Sequence, residues 1–447
     1  LNIRKIGRGR KFKINKQGRT VLLVFPSQFS IGRIDKLISV IKDALRSKDI
    51  EIRDMVLEEE CVVFELANVV EGASIIGEIF GVDKVAIAKK VSTSRFEEVI
   101  TEVVNIGKLK ILPNEKFFVK VQISHNAKVN YKPRDLEFAS TGELIAALQS
   151  SLSHSLSSSS RQSSTFSSSS SSSSLSSFAR PARDESDADR LIEILIGKLS
   201  TYVCIEIDAG LGGLPFACQE QKVLCTIHNT LSAISCMAVL KCGFFPEIVI
   251  LYTDDDNLRQ NLKIFGLVVN RINTKKYLIR LAKIEELQKQ KRNQNQDQKQ
   301  KRKQLQLQQQ RESSHKTILQ EIVATQVLTH MRGKGIVMPL CAAIHPPWLI
   351  ESTFKKLLSL NRIPWMPLLL PIQGIYDMAN ELGMDEHKLQ LLSDQACMID
   401  TLLTFTKQDY AKYRKTIDKM TESALKNMKT ISFEIGPNYL HDILDSV

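Results

Sequence analysis

The amino-acid sequence predicts two architectures in one chain: a mixed α+β region up to about residue 208, then an α/β region built on a parallel sheet. The first observation behind this is length, since 447 residues exceed what a single core usually organises. The second is a change of pattern: short strands and helices alternate up to a hairpin-like pair near residue 208. From Lys222 continuous apolar strands alternate with helices, as in a sheet buried on both faces. The third is the position of two low-complexity stretches, which interrupt these regions rather than separate them.

The elements follow in order. TVLLVF (Thr20 to Phe25) reads as a strand, and IGRIDKLISVIKDAL as an amphipathic helix with apolar residues at 31, 34, 37, 38, 41 and 45. ECVVFEL (Glu60 to Leu66) is the second predicted strand, followed by helix-like IIGEIF and then VDKVAIAKKV. FEEVITEVVNI is a predicted helix, FFVKVQI (Phe117 to Ile123) a strand, and TGELIAALQ a helix with Thr141 as its cap. From Gln149 the chain becomes nearly pure serine to about Ser177, too poor in apolar surface to offset the entropy of ordering. RLIEILIG and STYVCIEID then pair as a hairpin, so the serine tract is an insert inside one unit.

After Lys222 come strand KVLCTI, helix AISCMAVLKCG and strand EIVILYTD. A Gln/Lys-rich insert runs from Leu287 to Arg311, either a charged exposed helix or disordered. The alternation resumes with a helix from His315 to about Met331, strand GIVMPL, helix WLIESTFKKLLSL, and PWMPLLLP leading into helix IYDMANELGM. Most of Thr406 to Met428 reads as helical.

Composition excludes several classes. No run of ~18 apolar residues is present, which argues against a membrane span, although 43% of residues are hydrophobic. The N-terminus lacks the apolar stretch of a secretory signal, and its opening Leu points to a trimmed chain or an alternative start; a cytoplasmic protein is expected. Eight cysteines, with no CxxC pair, read as reduced thiols. The five between Cys204 and Cys242 match no compact ligand spacing, so no metal is expected. An excess of 61 basic over 49 acidic residues suits a polyanionic partner, most simply nucleic acid. Eight of the cations fall within residues 1 to 19, which hold no acid.

The order of these pieces, joined by GLGGLP (Gly210 to Pro215), resembles the tRNA 4-thiouridine synthetase family, the ThiI-type sulfurtransferases. The resemblance implies an N-terminal ferredoxin-like domain, an RNA-binding THUMP domain, and a PP-loop ATP-pyrophosphatase domain of the adenine nucleotide α-hydrolase-like type. The family linker is Gly-Pro-Gly-Gly-Leu-Pro; here Leu211 replaces its proline. The implied layout is a basic arm (1–19), ferredoxin-like domain (20–75) and THUMP domain (76–208, with a Ser-rich insert at 149–185). A linker (209–221), a PP-loop-like domain (222–405, with its insert at 287–311) and a C-terminal helical tail (406–447) complete it.

The family places Ser-Gly-Gly-x-Asp-Ser after the first strand beyond the linker, to hold the pyrophosphate of ATP. The corresponding positions are His228, Asn229, Thr230, Leu231, Ser232 and Ala233, and none of the five specified residues is retained. Asn229, Thr230 and Ser232 are thus the candidates at a degenerate phosphate loop. The helix behind them offers unpaired N–H groups, with Ser232 read as its cap. A second family signature falls on MPLCAAIHPPWLIEST, where His345-Pro346-Pro347-Trp348 fills the turn; this reads as a rigid loop with a packed Trp, with no acid or base visible beside His345. Cys397 in LSDQACMID lies near the family's sulfur-handling cysteine.

The function expected is therefore binding of tRNA, or other structured RNA, without ATP-dependent catalysis. Lys120, Lys128, Lys132 and Arg134 are the candidate phosphate contacts. One alternative is an active, diverged sulfurtransferase using ATP, Mg2+ and Cys397. Another is a non-catalytic partner or scaffold of a tRNA-modifying enzyme, with a protein partner or a homodimer as its form.

Overall fold

A computed structural model of the chain describes residues 19–158, 179–272, 274–285, 300–342, 345–369, 372–384, 405–436 and 438–446. Two compact units emerge. The first gathers the chain up to Pro26 with Lys48–Gly77 and Asp83–Ala209; the second gathers Ser27–Ser47, Glu78–Val82 and the chain from Gly210 onward. No helix among the described residues is long and apolar enough to cross a membrane.

The strands of the first unit are β1 (Thr20–Pro26), β2 (Ile52–Leu57), β3 (Val62–Leu66), β4 (Val82–Val91), β5 (Lys116–Ile123), β6 (Arg180–Pro181), β7 (Arg190–Ile196) and β8 (Thr201–Ala209). They form one sheet in the order β2-β3-β1-β4-β8-β7-β5-β6. The first four strands stand as β2-β3-β1-β4, the strand order of a ferredoxin-like arrangement, with helix α2 (Val69–Gly77) between β3 and β4; helix α1 (Ile34–Ser47), between β1 and β2 in sequence, lies in a segment grouped with the second unit. β4, the fourth strand of that order, lies beyond residue 75, where the expected ferredoxin-like domain ends. β7 and β8 form the expected antiparallel hairpin, and β5 runs parallel to β7. Helices α3 (Phe96–Lys110) and α4 (Pro133–Ser158) close a core of Val99, Val103, Phe117, Val119, Leu136, Leu144 and Ile194.

Two local expectations are corrected here. α4 begins at Pro133, whose fixed φ and missing N–H suit the first helical position. Thr141 therefore lies inside the helix rather than at its start, and the helix continues to Ser158, into the serine tract. The remainder of that tract, 159–178, and the arm up to residue 18 lie outside the described residues.

The second unit holds a six-stranded sheet in the order β13-β12-β9-β10-β11-β14. Its strands are β9 (Lys222–Ile227), β10 (Phe245–Tyr252), β11 (Lys276–Lys283), β12 (Gly335–Val337), β13 (Ile363–Trp365) and β14 (Lys429–Glu434). Five strands are parallel; β14 is antiparallel to β11, with Ile279 opposite Ile431. The C-terminal segment 406–447 is therefore not wholly helical. After helix α10 (Lys407–Lys426) it supplies this edge strand, and then helix α11 (Tyr439–Asp445).

The remaining helices are α5 (Thr230–Lys241), α6 (Asp255–Val269), α7 (Gln300–Thr329), α8 (Pro347–Ser359) and α9 (Ile372–Glu381). The backbone of the Gln/Lys-rich insert is helical from residue 300, forming the first half of α7. A core running through Ile227, Ile234, Ile250, Phe265, Val323 and Ile336 binds both faces of the sheet.

The GLGGLP segment is fixed by backbone pairing. Gly212 donates to Val82 O and its own O accepts from Gly81 N, both at 2.7 Å, while Leu214 N donates to Lys241 O at 2.8 Å. Gly213 sits at φ +72°, where a Cβ would stand 2.4 Å from Lys241 O. A side chain there would meet unyielding backbone as well as a disfavoured dihedral.

Candidate functional site

The strand order of the second unit decides where a ligand would sit. The chain runs β9, β10, β11 in one direction across the sheet, then returns to place β12 on the other side of β9. Connections leaving the C-terminal ends of β9 and β12 diverge there, and that divergence is the usual ligand crevice of an open parallel sheet. His228 to Thr230 leave β9 at this point, and the Cys341 to Pro347 turn follows β12.

The crevice is filled by the protein itself. Glu321 enters it from α7, 1% exposed, with Oε1 at 3.2 Å from His228 Nε2. The Asn229 side-chain amide donates to the same oxygen at 2.7 Å. His345, 1% exposed, completes the cluster from the β12 side, and Cys341 N donates to its Nδ1 at 3.0 Å. Burial alone would raise the Glu321 pKa. The His228 and His345 imidazoles and the Asn229 amide outweigh that, and the carboxyl titrates below its ordinary value. Burial pushes the His345 pKa down, against the pull of Glu321 and the Cys341 backbone. The crevice therefore encloses a carboxylate, a disfavoured neighbour for phosphate.

Neither ring nitrogen of His228 has a hydrogen-bond partner among the described residues, nor does Glu321 Oε2. His228 also borders a small pocket with Tyr252, Thr253, Asn257, Ile284 and Gln320, which has room for about one water molecule.

The predicted phosphate-loop residues have local roles. Asn229, not Ser232, is the N-cap of α5: its side chain accepts from Ser232 N at 2.8 Å. Ser232 stands at the third helical position, where its hydroxyl accepts from His228 N at 3.0 Å and Asn229 N at 3.1 Å. This reciprocal capping box uses N–H groups that a phosphate would otherwise take. Thr230 opens the helix and is half-buried.

His345 was expected to stand alone, and the structure corrects this. Glu321 precedes it by 24 residues and His228 by 117, separations that no local motif reveals. The one sequence signal is a lone acid inside the buried stretch ILQEIVATQVL, at a position where Ile318, Ile322 and Thr325 are also buried. Trp348 packs as expected, stacked at 15° on Phe405 and donating from Nε1 to Phe405 O at 3.1 Å. Cys397 lies outside the described residues. Seven cysteines are described, all as free thiols, and six of them are buried.

The predicted RNA contacts divide into two groups. Lys120, on β5, is tied to Glu185 at 2.7 Å, and that hydrogen bond raises its pKa. Lys128, Lys132 and Arg134 sit on the turn from β5 into α4; all three are exposed and have no ion pair among the described residues. Tyr131 anchors this turn, donating to Ser94 O at 2.7 Å and packing edge-on against Phe96 at 5.1 Å. One helical turn beyond Arg134, Phe138 is 78% exposed, an aromatic surface that no sequence motif marks.

Fold and crevice together define a two-unit α/β protein: a ferredoxin-like strand order continuing into a mixed sheet, and an open parallel sheet whose switch point is occupied by its own side chains. No protein-family model matches the chain, and no curated protein matches its sequence. Two solved structures share the fold. The crystal structure of PH1313 from Pyrococcus horikoshii Ot3 aligns with TM-score 0.54 at 16% identity, over 82% of this chain and 100% of that one. A 4-thiouridine synthetase–RNA complex with bound ATP aligns with TM-score 0.53 at 13% identity, over 93% of this chain and 100% of that one.

Proposed function

We propose that this chain binds structured RNA of the tRNA class through its first unit and carries out no ATP-dependent chemistry in its second. The observation that carries the reading is a contrast: the chain spans the whole length of a fold solved with both RNA and ATP, yet its switch-point crevice holds Glu321, His228 and His345. RNA binding is supported by the open cations of the β5–α4 turn and by the chain's net charge of +12. Lys128, Lys132 and Arg134 contact phosphates, and Phe138 offers its ring to an unpaired base. Loss of ATP use is supported by the capping box that occupies the α5 N–H groups and by the ionised carboxylate beside it.

The test is binding of an unmodified tRNA transcript by the full chain across a salt series. Tight binding that weakens steeply with salt, and weakens further on charge reversal at 128, 132 and 134, is the expected outcome. Binding indifferent to those reversals removes the residue assignment. Absence of tRNA binding removes the reading.

A further inference from the structure

α10 presents a stripe of lysines. Its sequence, KQDYAKYRKTIDKMTESALK, holds six cations and three acids. One acid, Asp409, is engaged in a capping box with Thr406. The inward face is set by Ile417, Thr421 and Ala424, all buried, and by the Thr421 hydroxyl donating to Gln326 Oε1 of α7 at 3.0 Å. At 3.6 residues per turn, Lys412, Lys415, Lys419 and Lys426 fall within an arc of about 60° on the opposite face. All four are exposed, and none has an ion pair among the described residues. The helical rise spaces them over about 21 Å.

We infer that this stripe is a second RNA-binding surface, one that follows the phosphate backbone of a base-paired stem. The inference rests on the RNA-binding reading and extends it to the other unit. Three features select a stem. Lysines are compact point charges that suit phosphate without reading bases. The aromatic rings of α10, Tyr410 and Tyr413, are only partly exposed, and Tyr413 lies under Lys412 at 5.4 Å, so the face offers no open stacking surface for single-stranded bases and no apolar wedge for a membrane. A straight helix carrying charges over about 21 Å matches a rigid run of duplex phosphates better than a collapsed single strand.

The experiment compares three full-length proteins: the wild type, Lys412→Glu/Lys415→Glu/Lys419→Glu, and Lys128→Glu/Lys132→Glu/Arg134→Glu. Each is titrated with a tRNA transcript, a hairpin with a long stem, a single-stranded oligonucleotide, and anionic phospholipid vesicles. The α10 variant is expected to lose about 10-fold or more in affinity for tRNA and for the hairpin. Its log K against log salt slope should shrink by about 2 to 3. Its binding to the single strand should change less than 2-fold. Circular dichroism and a melting curve matching the wild type establish that it is folded. Wild-type binding of both structured RNAs, lost in the β5–α4 variant but unchanged in the α10 variant, overturns this inference and leaves the first reading standing. Absence of RNA binding by the wild type overturns both. An α10-dependent loss seen only with vesicles also overturns it, assigning the stripe to a lipid surface.

Discussion

The turn after β9 closes its polar groups on one another, whereas the turn after β5 leaves its charges facing solvent. At the first, Glu321, His228, His345 and Asn229 are drawn together where a parallel sheet normally receives a ligand. At the second, Lys128, Lys132 and Arg134 stand exposed on a turn held by Tyr131. Both turns join a strand to a helix, so secondary structure does not distinguish them. What distinguishes them is whether a counter-charge arrives from elsewhere in the chain, as Glu321 does from α7. A buried cluster holds its charge away from ligands, while exposed charge without a partner is open to one.

The largest effect expected from breaking this contrast is on stability. Glu321→Ala leaves two buried imidazoles and the half-buried Asn229 amide without their carboxylate, and should cost about 3 kcal/mol in denaturant unfolding of the second unit. The next concerns the open turn: reversing Lys128, Lys132 and Arg134 to Glu should weaken tRNA binding about 30-fold while leaving the denaturation midpoint unchanged. Asn229→Ala removes the N-cap of α5 and should cost about 1 kcal/mol, read from the same unfolding curves, with no nucleotide binding gained. Lys120→Ala should change tRNA affinity only about 2-fold, because its charge is already met by Glu185 at 2.7 Å.

The buried cluster also predicts a pH profile with a definite sign. His345 is buried with its pKa lowered from 6.5, so below that value the unfolded chain takes up the proton first and stability falls. Glu321 has its pKa lowered from 4.5; its contribution is present above that value and is lost as pH falls through the folded one. Melting temperature should therefore decline from about pH 6.5 downward and more steeply below about 4.5. Glu321→Gln should flatten the lower limb while the upper one remains.

Much of the fold was legible where the periodicity was clean. TVLLVF, FFVKVQI and KVLCTI formed strands because unbroken or alternating apolar residues meet a buried face, and FEEVITEVVNI formed α3 for the same reason at helical spacing. β2 was missed because IRDMVL has no buried residue and its burial does not alternate. KTISFE of β14 alternates but follows a long helical stretch, and its pairing partner, β11, is about 150 residues away in sequence, so the tail reads as helical from sequence alone. The position of the crevice was legible from GLGGLP and the strand after it. Its filling was not, because Glu321 reaches His228 only through the crossover helix between β11 and β12.

We propose that this chain binds RNA while its switch-point crevice is closed to nucleotide. The most direct test is to incubate folded full-length protein with tRNA and ATP–Mg2+, following AMP and pyrophosphate release alongside RNA binding. Salt-sensitive tRNA binding with no AMP above background, and no change in affinity on adding ATP, is the predicted result. AMP formation that depends on tRNA would contradict it.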